Sequence, residues 1–142
     1  MRSYLVVGNQ TLGSDELRAA VQERLAAGPC RFHVVAPATL PRDHLVWSDG
    51  EAIAVARRNL DRALTSMRAD GADVDGAVGD SNPVLAVIDA LAHDDFDEVV
   101  LSTFPPGVSR WIRQDLPHRL ARRTILPLCH IVSQVREPEA TR

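Results

Sequence analysis

Asp97–Thr103, "DEVVLST", opens on two acids and then runs through an unbroken apolar centre into the hydroxyls of Ser102 and Thr103. A short continuous apolar run bounded by polar residues is the pattern of a buried strand. Just upstream, "SNPVLAVIDALAHDD" predicts a helix, with Pro83 in its first turn and Val84, Ile88 and Leu91 facing inward. Downstream, "STFPPGVSRWIRQDLP" (Ser102–Pro117) has the length and position of a phosphate-cradling loop that leads into a helix, yet it holds a single glycine. Helix, buried strand, ligand-type loop and helix in succession point to an α/β protein.

Working outward, the same alternation covers the chain. "YLVVG" (Tyr4–Gly8) is a first buried strand. "SDELRAAVQERLAAG" is a helix with Ser14 as N-cap and Leu17, Val21 and Leu25 on one face, ended by Gly28 and Pro29. "RFHVVAP" from Arg31 is a second strand, and a long loop, "ATLPRDHLVWSDG", precedes a helix over Glu51 to Ala69 whose inner face is read as Ile53, Ala56, Leu60, Leu64 and Met67. "ADVDGAVGD" (Ala72–Asp80) is a weak third strand, and "LPLCHIVSQV" a fifth. The last helix spans Ser109 to about Arg123, with Ser109 as N-cap; Pro117 predicts a break over Gln114 to Pro117, with Asp115 capping the second part. The predicted architecture is a doubly wound five-stranded parallel sheet, order 3-2-1-4-5, with helices on both faces. One domain covers residues 1–135, and 136–142 form a polar tail. In such sheets ligands bind at the carboxyl ends of the strands where the winding reverses, so Gly8 and Asn9 are expected to face Ser102 to Ser109.

Composition narrows the function. At 142 residues the chain can bury a core without metals or disulfides. A net charge of -3 argues against nucleic-acid or membrane-surface binding. No apolar run is long enough to span a bilayer and the N-terminus lacks a signal-peptide pattern, so a cytoplasmic protein is expected. All 16 basic residues are arginine. Those of the last helix, Arg110, Arg113, Arg119, Arg122 and Arg123, form a basic face expected to pair with Asp94, Asp95 and Asp97 or to meet an anion. Cys30 and Cys129 are isolated and read as buried thiols, and the five histidines show no metal-ligand spacing. His33 and His130 alternate with apolar residues and are read as half-exposed strand positions. No nucleophile-base motif occurs; no catalytic residue and no required cofactor are predicted. Trp47, near His44, either lids the carboxyl end of the sheet or anchors its loop.

"YLVVGN", "VGDSNPVLAVIDAL", "FDEVVLST" and "RLARRTILPLCHIV" resemble, in order and spacing, stretches of the universal stress proteins. Nucleotide-binding members of that family carry G-x2-G-x9-G-(S/T) after the fourth strand, where glycines bring backbone N–H groups to phosphate oxygens. In the resemblance the first glycine corresponds to Ser102 and the second to Pro105. Anchoring on Arg119 and Pro127 puts the third at Gln114 and the hydroxyl residue at Asp115; an ungapped count gives Asp115 and Leu116. Pro105 and Pro106 have no N–H to offer, Asp115 would set a carboxylate near phosphate, and the family's Asp after the first strand corresponds to Asn9.

The resemblance therefore implies a non-catalytic binding or regulatory protein with altered or lost nucleotide binding, and a homodimer through the last strand, Leu128 to Val135. Candidate ligand residues are Gly8, Asn9, Ser102, Thr103, Gly107, Val108, Ser109, Arg110, Gln114 and Asp115, for an adenine nucleotide or a small anion. Two other readings stay open: an ATP- or AMP-binding protein with slow or no hydrolysis, and a pure dimerisation or interaction module.

Overall fold

The computed structural model describes residues 1–39, 49–105, 109–113 and 115–134. His44, Trp47, Pro106, Gly107, Val108, Gln114, Val135 and the tail lie outside these residues.

The strands are β1 (Arg2–Val7), β2 (Cys30–Pro37), β3 (Asp73–Gly79), β4 (Glu98–Thr103) and β5 (Leu128–Val132). They form one sheet in the order β3-β2-β1-β4-β5, every pair parallel. Val6 sits in register with Val34 on one side and Val100 on the other, which explains the continuous apolar runs: the central strands are covered on both faces. Tyr4 and Val6 turn to one face, where α1 (Asp15–Ala27) and α2 (Asp49–Ala69) bring Leu17, Val21, Ala56 and Leu60. Leu5 and Val7 turn to the other, where α3 (Pro83–His93), α4 (Arg110–Arg113) and α5 (Leu116–Ala121) bring Val84, Val87, Trp111 and Leu120. The chain leaves β1 toward one face and β4 toward the other, which places the crevice expected from the sequence between those two strands.

Local signals account for the helix ends. The Ser14 hydroxyl accepts from the Leu17 N–H (3.1 Å) and the Asn82 side chain from the Val84 N–H (3.0 Å), with Pro83 at the first position of α3. The last helix divides as Pro117 predicts. Ser109 caps α4, its Oγ accepting from the Ile112 N–H at 3.2 Å, and α5 restarts after Asp115. Pro117 falls in the first turn of α5, where its missing N–H has no helical acceptor to satisfy.

Three expectations are corrected. The inner stripe of α2 is Ala52, Ala56, Leu60, Ala63 and Met67, while Ile53 is 48% exposed and Leu64 half-buried. Small side chains, not the bulkiest ones, let this helix lie close on β2 and β3. Asp94 pairs with Arg31 (2.7 Å) and Asp97 accepts from the Ser3 N–H (2.8 Å), because the α3–β4 turn lies against the amino ends of β1 and β2; among the described side chains neither pairs with Arg119, Arg122 or Arg123. Cys30 is buried, but Cys129 is only half-buried because β5 is an edge strand. No helix among the described residues is long and apolar enough to cross a membrane.

Candidate functional site

The chain leaves β1 through Gly8, whose N–H donates to the Val35 carbonyl at 3.2 Å. A Cβ on Gly8 would lie 2.9 Å from Leu12 Cδ2 and 3.3 Å from Ser102 Cβ, so glycine is what lets this turn pack directly on β4. Asn9 follows, buried at 6% exposure. Its Nδ2 donates to the Pro37 carbonyl at 2.8 Å and its Oδ1 accepts from Asn59 Nδ2 at 2.8 Å. One amide thereby ties together the carboxyl ends of β1 and β2 and the middle of α2. A carboxylate could not do this, having no proton for Pro37.

The hydroxyls across the crevice are engaged in the same way. Ser102, fully buried, shares a 2.6 Å hydrogen bond with Thr11. Thr103 donates to the Phe104 carbonyl at 2.8 Å, and its Oγ1 lies 2.8 Å from His130 Nε2. A hydroxyl has one proton, so His130 carries its proton on Nε2 and donates to Thr103. Ser133 donates to Ser14 at 2.7 Å, joining the end of β5 to the start of α1. The described polar side chains at the crevice between β1 and β4 are thus hydrogen-bonded within the protein.

Of the residues expected to line the site, the structure brings Gly8, Asn9, Ser102 and Thr103 together. Ser109 is buried, but its hydroxyl caps α4. Arg110 begins α4, and Gly107, Val108 and Gln114 lie outside the described residues. Asp115 is exposed, pairs with His118 Nδ1 at 2.9 Å and adopts a left-handed φ of 59°, alone in this among the described non-glycine residues. That backbone is the one glycine adopts most readily, which favours the ungapped alignment of the family's third glycine with Asp115. The next residue, Leu116, is buried and brings no hydroxyl. Asp115 does not cap α5 with its side chain, contrary to expectation, because the carboxylate turns to His118 instead. Thr11, Asn59 and Ser133 were not singled out from the sequence, and His130 was read only as a half-exposed strand position, which it is; the four join only through the tertiary fold.

Burial holds the His130 imidazole below its ordinary value of 6.5. The unfolded chain therefore takes up this proton first as pH falls, so the contribution is complete above about pH 6.5 and declines below it. His130→Gln, which can still donate to Thr103, is expected to flatten this part of the decline. Comparing urea midpoints at pH 7.5 and 5.5 for the two proteins checks it; equal declines would show that His130 is not the titrating group.

Beside this crevice lies an open cleft of about 390 Å³, framed by Gln10, Thr11, Asn59, Arg62, Phe104 and Ser133. It sits at the carboxyl end of the sheet, on the side of α1 and α2. Another cleft, of about 440 Å³, runs along edge strand β3 on the opposite face, with His33, Asp75, Asp89 and His93 around Val35 and Phe96. Among the described residues no three His, Cys, Asp or Glu side chains converge as metal ligands.

No protein-family model matches the sequence, and no curated protein matches it. Solved structures do. A universal stress protein from Archaeoglobus fulgidus in complex with dAMP superposes with a TM-score of 0.62 at 18% identity, over 92% of this chain and 97% of that one. A universal stress protein in complex with cAMP gives 0.61 at 20% identity, over 93% and 98%. A protein of the universal stress protein family from Burkholderia pseudomallei gives 0.62 at 17% identity, over 91% and 94%. With near-complete coverage of both chains, the fold of this chain, a parallel sheet in the order β3-β2-β1-β4-β5, is that of the universal stress proteins.

Proposed function

We propose that this chain is a universal-stress-protein-like binding protein without a catalytic step of its own, in which the adenine-nucleotide mode is altered or lost. The observation that carries the reading is the Asn9 bridge to Pro37 and Asn59, which commits a donor and an acceptor of this buried amide within the protein. The engaged Ser102 and Thr103 hydroxyls and the N–H-less Pro105 support it. The test is calorimetry and thermal shift with ATP, AMP, dAMP and cAMP at millimolar concentration. No response is expected; a ligand at a hundred times its dissociation constant would add about 2.7 kcal/mol and be plain in the melting curve. Such a shift would overturn the reading in favour of an adenine-nucleotide binder, the alternative favoured by the dAMP and cAMP in the structural neighbours.

The same proposal includes a homodimer formed through β5. Among the described residues the outer edge of β5 has no strand partner, and the fully exposed Ile125 lies just before it. An uncovered apolar edge favours pairing with its own copy. Light scattering should give twice the chain mass, and Val132→Pro, which removes an N–H on the outer edge of β5 while the alternate residues keep their bonds to β4, should shift the population to monomer; a monomeric wild type would count against the dimer.

A further inference from the structure

We infer that the open cleft between the start of α1, the middle of α2 and the end of β5 binds a small polyhydroxylated anion of the sugar-phosphate class. The inference rests on the proposed reading of the neighbouring crevice as closed, since it moves the ligand to the space beside it.

At about 390 Å³ the cleft has the capacity of a small-molecule site. Its chemistry is mixed in a particular way. Arg62 is exposed on α2 and has no carboxylate partner among the described residues. Its guanidinium can meet phosphate or carboxylate oxygens in pairs. Gln10 and Gln134 each offer an amide donor and an amide acceptor on the rim. Asn59, which also lines the cleft, commits one proton to Asn9 and keeps its carbonyl oxygen and a second N–H. The half-buried Phe104 ring adds an apolar surface to the lining.

These groups select among ligands. Sugar hydroxyls both donate and accept, so they match the neighbouring side-chain amides, while the C–H face of a sugar ring matches Phe104. Inorganic phosphate would use Arg62 alone and leave the amides and the ring idle. A nucleoside triphosphate would bring several negative charges to a lining in which Arg62 is the one arginine or lysine. One sugar bearing one phosphate is the composition that satisfies the whole lining. The walls are held in place beforehand: Asn59 by Asn9, Ser14 by Ser133 at 2.7 Å, and the Gln134 N–H by the Glu16 carboxylate at 3.3 Å. Preorganised walls spare a ligand part of the ordering loss on binding.

The experiment is calorimetry with two-dimensional NMR on the full chain, using ribose 5-phosphate and glucose 6-phosphate, with ribose, inorganic phosphate and AMP as comparators. At least one sugar phosphate should bind with submillimolar affinity and shift the side-chain amide signals of Gln10, Asn59 and Gln134. Arg62→Gln, an exposed change that should leave the melting temperature in place, should weaken that binding about tenfold. Silence of both sugar phosphates at about 10 mM, affinity for phosphate alone equal to theirs, or indifference to Arg62→Gln would overturn the inference. If AMP instead binds and shifts Asn9 and Ser102, the closed-crevice reading fails and this inference with it. If neither AMP nor a sugar phosphate binds, the closed crevice stands and the inference alone falls.

Discussion

Asn9→Asp, which installs the acidic residue that universal stress proteins carry at this point, will lower stability by about 2 to 4 kcal/mol and will not create nucleotide affinity. The substitution changes one NH2 to an oxygen, so nothing about size explains the effect. Nδ2 of Asn9 is the donor to the Pro37 carbonyl at 2.8 Å in a buried site. A carboxylate there would set oxygen against oxygen, leave the Pro37 carbonyl unpaired and bury a charge whose nearest described polar partner is the Asn59 amide. For a chain of this size, each kcal/mol is worth about 3 °C, so the melting temperature should fall by roughly 6 to 12 °C. Asn59→Ala is the milder comparison: it removes a donor to Asn9 from a partly buried position and should cost about 1 kcal/mol. Calorimetric melting of the three proteins, each with and without AMP, measures both halves of the expectation. An Asn9→Asp protein that melts with the wild type and binds AMP would show that the bridge does not close the crevice.

That contrast marks how far the sequence could be read. The order of elements was legible because each rests on contiguous signals: the apolar runs of β1 and β4, the Ser14 and Asn82 caps, Pro83 and Pro117. Even β3, "DVDGAVG", was recoverable from the helices on either side of it. Departure from the nucleotide motif was equally visible, since missing glycines and prolines are facts of composition. What replaced the motif was not visible. The closing bonds join Asn9 to Asn59 and Thr11 to Ser102, 50 and 91 residues apart, and no local pattern marks one asparagine of α2 as the partner of another. The facing of α2 failed for a related reason. Ile53 is the more hydrophobic choice, but the space above β2 and β3 admits alanines, and that space is a property of the assembled sheet.

Gly76→Ala tests that close approach and should destabilise the protein by about 1 to 3 kcal/mol, despite adding one carbon to a half-buried edge strand. A Cβ on Gly76 would lie 2.6 Å from the Val34 carbonyl oxygen and 2.7 Å from Leu60 Cδ1. The leucine end can turn aside at modest cost. The carbonyl is backbone, held in the β2–β3 pairing where Val34 is registered with Gly76. Leu60→Ala alone should cost about 2 to 5 kcal/mol, because the side chain is fully buried and leaves a cavity. The two changes share one space, so the double variant should be about 0.5 to 1 kcal/mol more stable than the sum of its parts predicts. Relief should remain incomplete, since truncating Leu60 leaves the Val34 oxygen where it was. The consequence reaches the site. Asn59 precedes Leu60 and Arg62 follows it on α2, so lifting this helix from β3 by a few tenths of an ångström should loosen the Asn9 bridge and shift the Asn59 side-chain amide signal in Gly76→Ala. Urea titrations of the four proteins give the coupling and NMR gives the shift. Strict additivity, or a Gly76→Ala protein as stable as the wild type with an unmoved Asn59, would mean that α2 is not seated on the sheet through this contact.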